Sequence, residues 1–241
     1  IASIPIALPL VMQVTMALGA GKMATDFNAV VTSLAALQDI ASMTVLCSDK
    51  TGTLTTAMMR VIEDAVWVND EFTAADLALY GVLASNRDKT EDPIDRCVVG
   101  HFDKLMGAAG SAMCAPFTKT RAVGFDPVCK RVVFEYKHPK LGVVLVAKGL
   151  PVKVINTEDG GKDDAADQWK VHNWENIMKI AEQKDVELSK AGYKTLGTSV
   201  KIGSAPWKFV GILPMFDRPR HDTAETIKNL QHAGIEVKMI T

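Results

Sequence analysis

The sequence predicts an α/β fold in which one sheet-and-helix domain is interrupted by an inserted module. Three observations carry this. A short apolar run rich in β-formers, Met43 to Ser48, ends on Asp49 and opens the loop DKTGTLT. Near the other end, a helical stretch that Asp222 or Thr223 can cap stops at Gly234 and gives way to a β-run, Ile235 to Ile240. Between them the pattern changes to alternating strand-like runs with helices of their own, as an insertion would.

The elements follow in order. Residues 1–20 read IASIPIALPLVMQVTMALGA, uncharged, with only Ser3, Gln13 and Thr15 polar. A membrane span needs about 20 apolar residues, so a transmembrane helix is expected here. Pro5 and Pro9 disfavour a buried soluble helix and suit a broken span lining a path. No basic segment precedes it, which excludes a signal peptide. Helical spacing from Asn28 to Ser42 leads into the first strand. In the middle, helices are expected at 73–84 and 94–106, flanking the polar turn SNRDKTEDP. Strands are expected at 122–125, 131–138 and 142–147, the last two as a hairpin across His138–Lys140. NTEDGGKDDAADQ reads as a solvated acidic loop, and a helix from Trp174 to Ala191 ends at Gly192, a left-handed cap. Strands at 195–202 and 208–213 complete the insertion.

The expected segments are therefore 1–20, 21–57, 58–207 for the insertion, and 208–241 for a hinge and the returning half of the first domain. Both ends fall in apolar runs, so the chain reads as a piece of a longer protein.

Bulk properties narrow the function classes. With 48% hydrophobic residues the chain can bury one or two ordinary cores. Its 27 basic and 28 acidic residues are interspersed, and no basic block marks a nucleic-acid partner. The four cysteines form no CxxC pair and no His/Cys cluster has zinc spacing, so they read as reduced, packed thiols.

The chemistry concentrates in the loop after the first strand. A carboxylate at a strand tip, followed by Lys50, Thr51, Gly52 and Thr53, suits covalent phosphoryl transfer onto Asp49. Gly52 lets the backbone approach a phosphate, and the threonine hydroxyls can donate to its oxygens. Asp49 and Thr51 are the expected ligands of Mg²⁺, an oxygen-seeking cation. A bare D-x-T match would leave an ordinary surface turn ahead.

The string is longer than that. CSDKTGTLT, Cys47 to Thr55, resembles the phosphorylation signature of the P-type ATPases, and the resemblance extends over essentially the whole chain. IPIALPLV is similar to that family's fourth transmembrane helix. LPMFDRPRHDTAETIKNLQHAGIEVKMIT resembles the hinge and following helix of its proton-pumping, plasma-membrane branch.

The resemblance implies a haloacid-dehalogenase-like (Rossmann-type) phosphorylation domain, incomplete here. It would be interrupted by an α+β nucleotide-binding domain with an antiparallel sheet. KGLP resembles K-G-[AS]-P, which would put Lys148 and Gly149 in the adenine pocket; Leu150 replaces the small residue there. FDPVCKR is similar to F-N-P-V-D-K-R, so Phe125 would stack on adenine and Lys130 would face the nucleotide. Read alone, a strand phenylalanine is more often core. EDPID would place Asp92 near the adenine amino group. AGYKTLG makes Lys194 the counterpart of a phosphate-facing arginine, without that residue's bidentate fork. Asp217 and Arg220 would sit at the hinge, where Arg218 replaces a proline. Thr241 would begin a T-G-D motif that helps to hold the phosphoryl group.

The implied activity is ATP-driven proton transport in the plasma membrane, with ATP as substrate, Mg²⁺ as cofactor and residues after about 21 in the cytosol. The resemblance also implies that the remaining phosphate and Mg²⁺ ligands lie outside the 241 residues, so the fragment alone is expected to be inactive. Two rivals stand beside it. A soluble phosphohydrolase of the dehalogenase superfamily usually carries D-x-D-x-T, and here the acid/base position is Thr51. The other is a nucleotide-binding module without catalysis.

Overall fold

The computed structural model describes residues 7–87, 92–156 and 170–240. The chain forms two compact units, Ile1–Leu54 with His221–Thr241, and Thr55–Arg220.

In the first unit, helix α1 (Ala7–Phe27) precedes α2 (Leu34–Ala41). Strand β1 (Val45–Asp49) pairs in parallel with β9 (Glu236–Ile240), and α8 (Thr223–His232) leads into β9. One expectation changes here. The helix expected over 28–42 forms only from Leu34, because Asn28 turns left-handed at φ 52 and ends α1. The stretch expected at 1–20 as a membrane span is described only from Ala7, where it forms the first part of α1. The described helix starts at Ala7, so Pro9 sits in its first turn, where a missing N–H breaks nothing. It then runs on through Lys22 and Asp26, and no helix among the described residues is long and apolar enough to cross a membrane.

The second unit is a mixed α/β layer structure on a curled antiparallel sheet. Its strands are β2 (Thr55–Val61), β3 (Trp67–Val68), β4 (Thr118–Asp126), β5 (Arg131–His138), β6 (Gly142–Gly149), β7 (Lys194–Ile202) and β8 (Lys208–Pro219). The order is β2-β8-β7-β6-β5-β4, with β3 on β8. Helices α3 (Ala74–Leu83), α4 (Pro93–Met106), α5 (Ala109–Cys114), α6 (Pro151–Ile155) and α7 (Trp174–Lys190) complete it. Period-2 alternation sends neighbouring strand residues to opposite faces. Leu213, Val146 and Phe134 join Leu77, Tyr80 and Leu83 of α3 in one core, while Ile212, Ala147 and Val133 join Ile155, Ile177 and Leu188 of α6 and α7 in another.

Local chemistry explains the helix ends. Thr73 and Asp76 form a reciprocal capping box on α3, and Asp92 accepts from the Ile94 N–H at 2.7 Å with Pro93 opening α4. Gly192 ends α7 at φ 84.

Cys97 of α4 is 6% exposed, and burial pushes its thiol up to about 11 against a smaller opposing pull from Lys148. Between pH 9 and 11 the folded thiol keeps a proton that the unfolded chain has lost. Stability is therefore expected to fall as pH rises through that window, by about 2 kcal/mol, and to be unaffected by this group below pH 9. Tyr136, raised to about 12 by burial, acts in the same sense from pH 10 upward. Denaturant midpoints from pH 8 to 11 check this: Cys97→Ala should flatten the slope whatever it does to the absolute value.

Candidate functional site

In the first unit, parallel pairing with β9 places Asp49 opposite Ile240 at the C-terminal tip of β1, with its side chain exposed. Ligands of open parallel sheets sit at this edge. The chain then leaves the strand through an irregular loop, Lys50–Leu54, where Thr51 is extended (φ −80, ψ 119) and Gly52 takes φ 82. That left-handed backbone is why a glycine stands there. Thr51 and Thr53 are exposed, and the Thr223 hydroxyl donates to the Leu54 carbonyl at 2.8 Å, tying the loop's far end to the start of α8. Thr241 lies outside the described residues.

An exposed carboxylate beside hydroxyl and carbonyl oxygens fits a hard divalent cation, which takes one or two protein carboxylates and fills its shell with water and phosphate oxygens. Among the described residues no three His, Cys, Asp or Glu side chains cluster to hold a metal by themselves.

In the second unit, strand register brings the candidates to one end of the sheet. Asp126 pairs with Arg131, Arg131 with Gly149, and Gly149 with Gly197. Lys194 lies three residues further toward that same end of β7 and pairs with Met215, just before Asp217 and Arg220. Phe125, Lys130, Gly149, Lys194, Asp217 and Arg220 thus follow one edge across five strands, about 19 Å at ~4.8 Å per step.

Phe125 is 65% exposed, so the core reading of a strand phenylalanine does not hold here. The turn after it is built by Asp126, whose carboxylate accepts from the Val128 N–H at 2.8 Å and from the Cys129 N–H at 3.4 Å. Lys130 leaves that turn at φ 46, exposed, and its carbonyl accepts from the Leu150 N–H at 3.0 Å. Gly149 stands against this carbonyl; a Cβ there would lie 2.3 Å from it.

Lys148 is buried, at 5% exposure. Its ammonium forms an ion pair with Asp95 and donates to the Ser85 hydroxyl at 2.7 Å. Ser85 donates onward to the Gly81 carbonyl at 2.8 Å, and Asp95 also accepts from the Asn86 N–H at 2.9 Å. Desolvation pulls the ammonium below its ordinary range, while Asp95 and then Asp92 push it back up. Asp92 is exposed at the head of α4. Asp217 accepts from the Thr55 hydroxyl at 2.5 Å, and its other carboxylate oxygen is buried without a partner.

Four supporting residues were not singled out in the sequence: Ser85, Asp95, Asp126 and Thr55. The Asp126–Pro127 turn carried a local signal; the others act on partners 53, 63 and 162 residues away.

No protein-family model matches the chain. Against curated proteins it is 34% identical over 246 residues to "Plasma membrane ATPase 1" of Saccharomyces cerevisiae, a match covering 100% of this chain and 25% of that protein. The chain therefore spans about a quarter of the length of that relative. With a match along its whole length and the CSDKTGTLT loop at a strand tip, the chain is similar to one part of a P-type ATPase.

Proposed function

We propose that the chain carries the phosphate-accepting loop and the nucleotide-binding domain of an ATP-driven proton pump acting in the plasma membrane. The observation that carries this reading is Asp49, exposed at the C-terminal tip of a parallel strand and followed by a glycine-turned loop of hydroxyl side chains. The segments around Asp49 and α8 belong, on this reading, to a dehalogenase-like phosphorylation domain.

Asp49 Oδ attacks the γ-phosphorus of ATP. The bond from phosphorus to the bridging oxygen breaks, ADP leaves with that electron pair, and an acyl phosphate forms on Asp49. Mg²⁺, when bound, would be held by the Asp49 carboxylate and the Thr51 carbonyl, and it supplies charge neutralisation at the transferring group. Gly52 keeps the loop backbone close enough for its N–H groups to face phosphate oxygens, and Thr51 and Thr53 add hydroxyl donors. Thr51 at the second position after Asp49 offers no carboxylate base for rapid hydrolysis. The acyl phosphate then lasts long enough to be coupled to a change of shape.

Adenine lies on Phe125 at one side of the sheet edge, with Lys148, Gly149 and Asp92 as the pocket wall. The phosphates extend toward the cations at Lys130, Lys194 and Arg220. Asp217, held by Thr55, orients the hinge. Phe125→Ala is expected to weaken ATP binding roughly ten- to hundredfold, the stacking energy of one base, with the unfolding midpoint unchanged because the ring is exposed. Calorimetric titration alongside thermal melting checks both halves.

The reading is tested in the full-length protein. Membranes incubated with γ-labelled ATP and Mg²⁺ should yield an acid-stable, hydroxylamine-sensitive phosphoprotein, and Asp49→Asn should remove the label entirely. An intact, folded preparation that takes up no label would refute it, and vesicle acidification on ATP addition tests the proton.

A further inference from the structure

A cavity of about 360 Å³ lies between β2 and α4 in the second unit, lined by Arg60, Glu63, Arg96, Gly100, His101 and Lys104 among others. It shares no residue with the nucleotide candidates. Its wall is built by periodicity: positions 96, 97, 100, 101 and 104 fall on one stripe of α4, and β2 supplies 59 to 61.

The charges in this lining do not balance. Glu63 is committed to Lys104 at 2.7 Å and lies 3.9 Å from His101. Burial keeps the His101 ring below its ordinary value, against the pull of Glu63, so it is neutral near pH 7. Arg60 and Arg96 are exposed to the cavity mouth, and neither guanidinium pairs with a carboxylate among the described residues. The lining therefore holds three cations against one carboxylate.

The floor gives an independent sign. Gly100 sits mid-helix, where glycine weakens a helix relative to alanine. Its backbone is not left-handed, and a Cβ there would meet nothing within 4 Å. No packing contact requires the missing side chain; what it does is leave the helix wall open onto the cavity.

We propose that this cavity is a binding site for a small dianionic oxyanion, a phosphate group held in a fork between Arg60 and Arg96 over the open backbone of Gly100. Two guanidinium groups offer paired N–H donors in the planar geometry that phosphate oxygens accept. A dianion would neutralise the excess positive charge of the lining. Lys104 stays on Glu63, and the neutral His101 ring remains available as a hydrogen-bonding partner.

The test uses the whole chain, titrated at constant ionic strength with inorganic phosphate and, separately, with glycerol phosphate, while backbone amide resonances are followed by NMR. Saturable shifts confined to residues 60–63 and 96–104 are expected. Saturation by inorganic phosphate identifies the free anion as sufficient; saturation by the ester alone identifies a phosphate carried on an organic group. Arg60→Gln and Arg96→Gln should each weaken binding about tenfold or more. Gly100→Leu should block it while the helix stays folded by circular dichroism, and Lys179→Gln, an exposed cation on α7, should change nothing. No saturable response to either ligand, or an affinity that both arginine variants leave intact, would overturn the proposal.

Discussion

Gly149→Ala is expected to destabilise the second unit by at least about 3 kcal/mol, a loss far beyond that of an ordinary exposed strand position. An added Cβ would lie 2.3 Å from the Lys130 carbonyl oxygen and 2.7 Å from the Arg131 Cα. Both obstacles are backbone, so no side-chain rotation relieves them. The same carbonyl accepts from the Leu150 N–H at 3.0 Å, and the substitution would force that bond apart. The neighbouring Gly197 explains why the strands approach so closely. A Cβ there would fall 2.7 Å from Pro151 Cα and 2.8 Å from Val154 Cγ2, so paired glycines let α6 settle on the sheet. Gly124→Ala makes the control, since its Cβ meets nothing within 4 Å and its backbone is not left-handed. It should shift the denaturant midpoint little. Equal effects from the two substitutions would contradict the packing argument.

Asp95→Ala should cost about 3–5 kcal/mol, because it leaves the buried Lys148 ammonium with the Ser85 hydroxyl as its hydrogen-bond partner and no paired carboxylate. The loss extends beyond the pair, as the Asn86 N–H also loses its acceptor. Lys148→Met alone leaves the Asp95 carboxylate half-buried but still bonded to that N–H, so its cost should be smaller. The double variant Asp95→Ala with Lys148→Met should recover much of the stability lost in Asp95→Ala, as removing both charges usually does. Chemical denaturation of the four proteins gives the coupling energy. An additive cycle would mean that the ion pair does not hold α4 to β6. On the proposed function, the same cycle read by ATP affinity separates a positioning role of Lys148 from direct contact. Direct contact makes the methionine variant weak even when stability is restored.

Much of the second unit was legible in the sequence where one pattern ran long enough. The hairpin of β5 and β6, the helices α3, α4 and α7, and the left-handed Gly192 follow from runs rich in β-formers on either side of a turn, helical spacing of apolar residues and a terminal glycine. Short elements gave no such run: β3 has two residues, and α6 has five, announced only by Pro151 at its start. α1 overlaps the uncharged stretch and continues through Lys22 and Asp26, so its C-terminal bound was not legible from the apolar run alone. Asp49 and its loop were visible as a contiguous string, since a phosphate-accepting turn is local. The Lys148–Asp95–Ser85 network and the Arg60–Arg96 cavity were not, because their members are far apart in the chain and only register and helix packing bring them together. Exposure excludes the core reading of Phe125, which composition cannot do.

The central claim is that Asp49 itself carries the phosphate, and borohydride reduction of the phosphorylated full-length protein tests it at the atom. Hydride delivered to an aspartyl acyl phosphate releases phosphate and leaves homoserine in place of the aspartate. Peptide mass spectrometry should find homoserine at position 49, within CSDKTGTLT, and only after incubation with ATP and Mg²⁺. Homoserine at another aspartate, or an unmodified Asp49 in a protein that has demonstrably taken up label, would contradict the account.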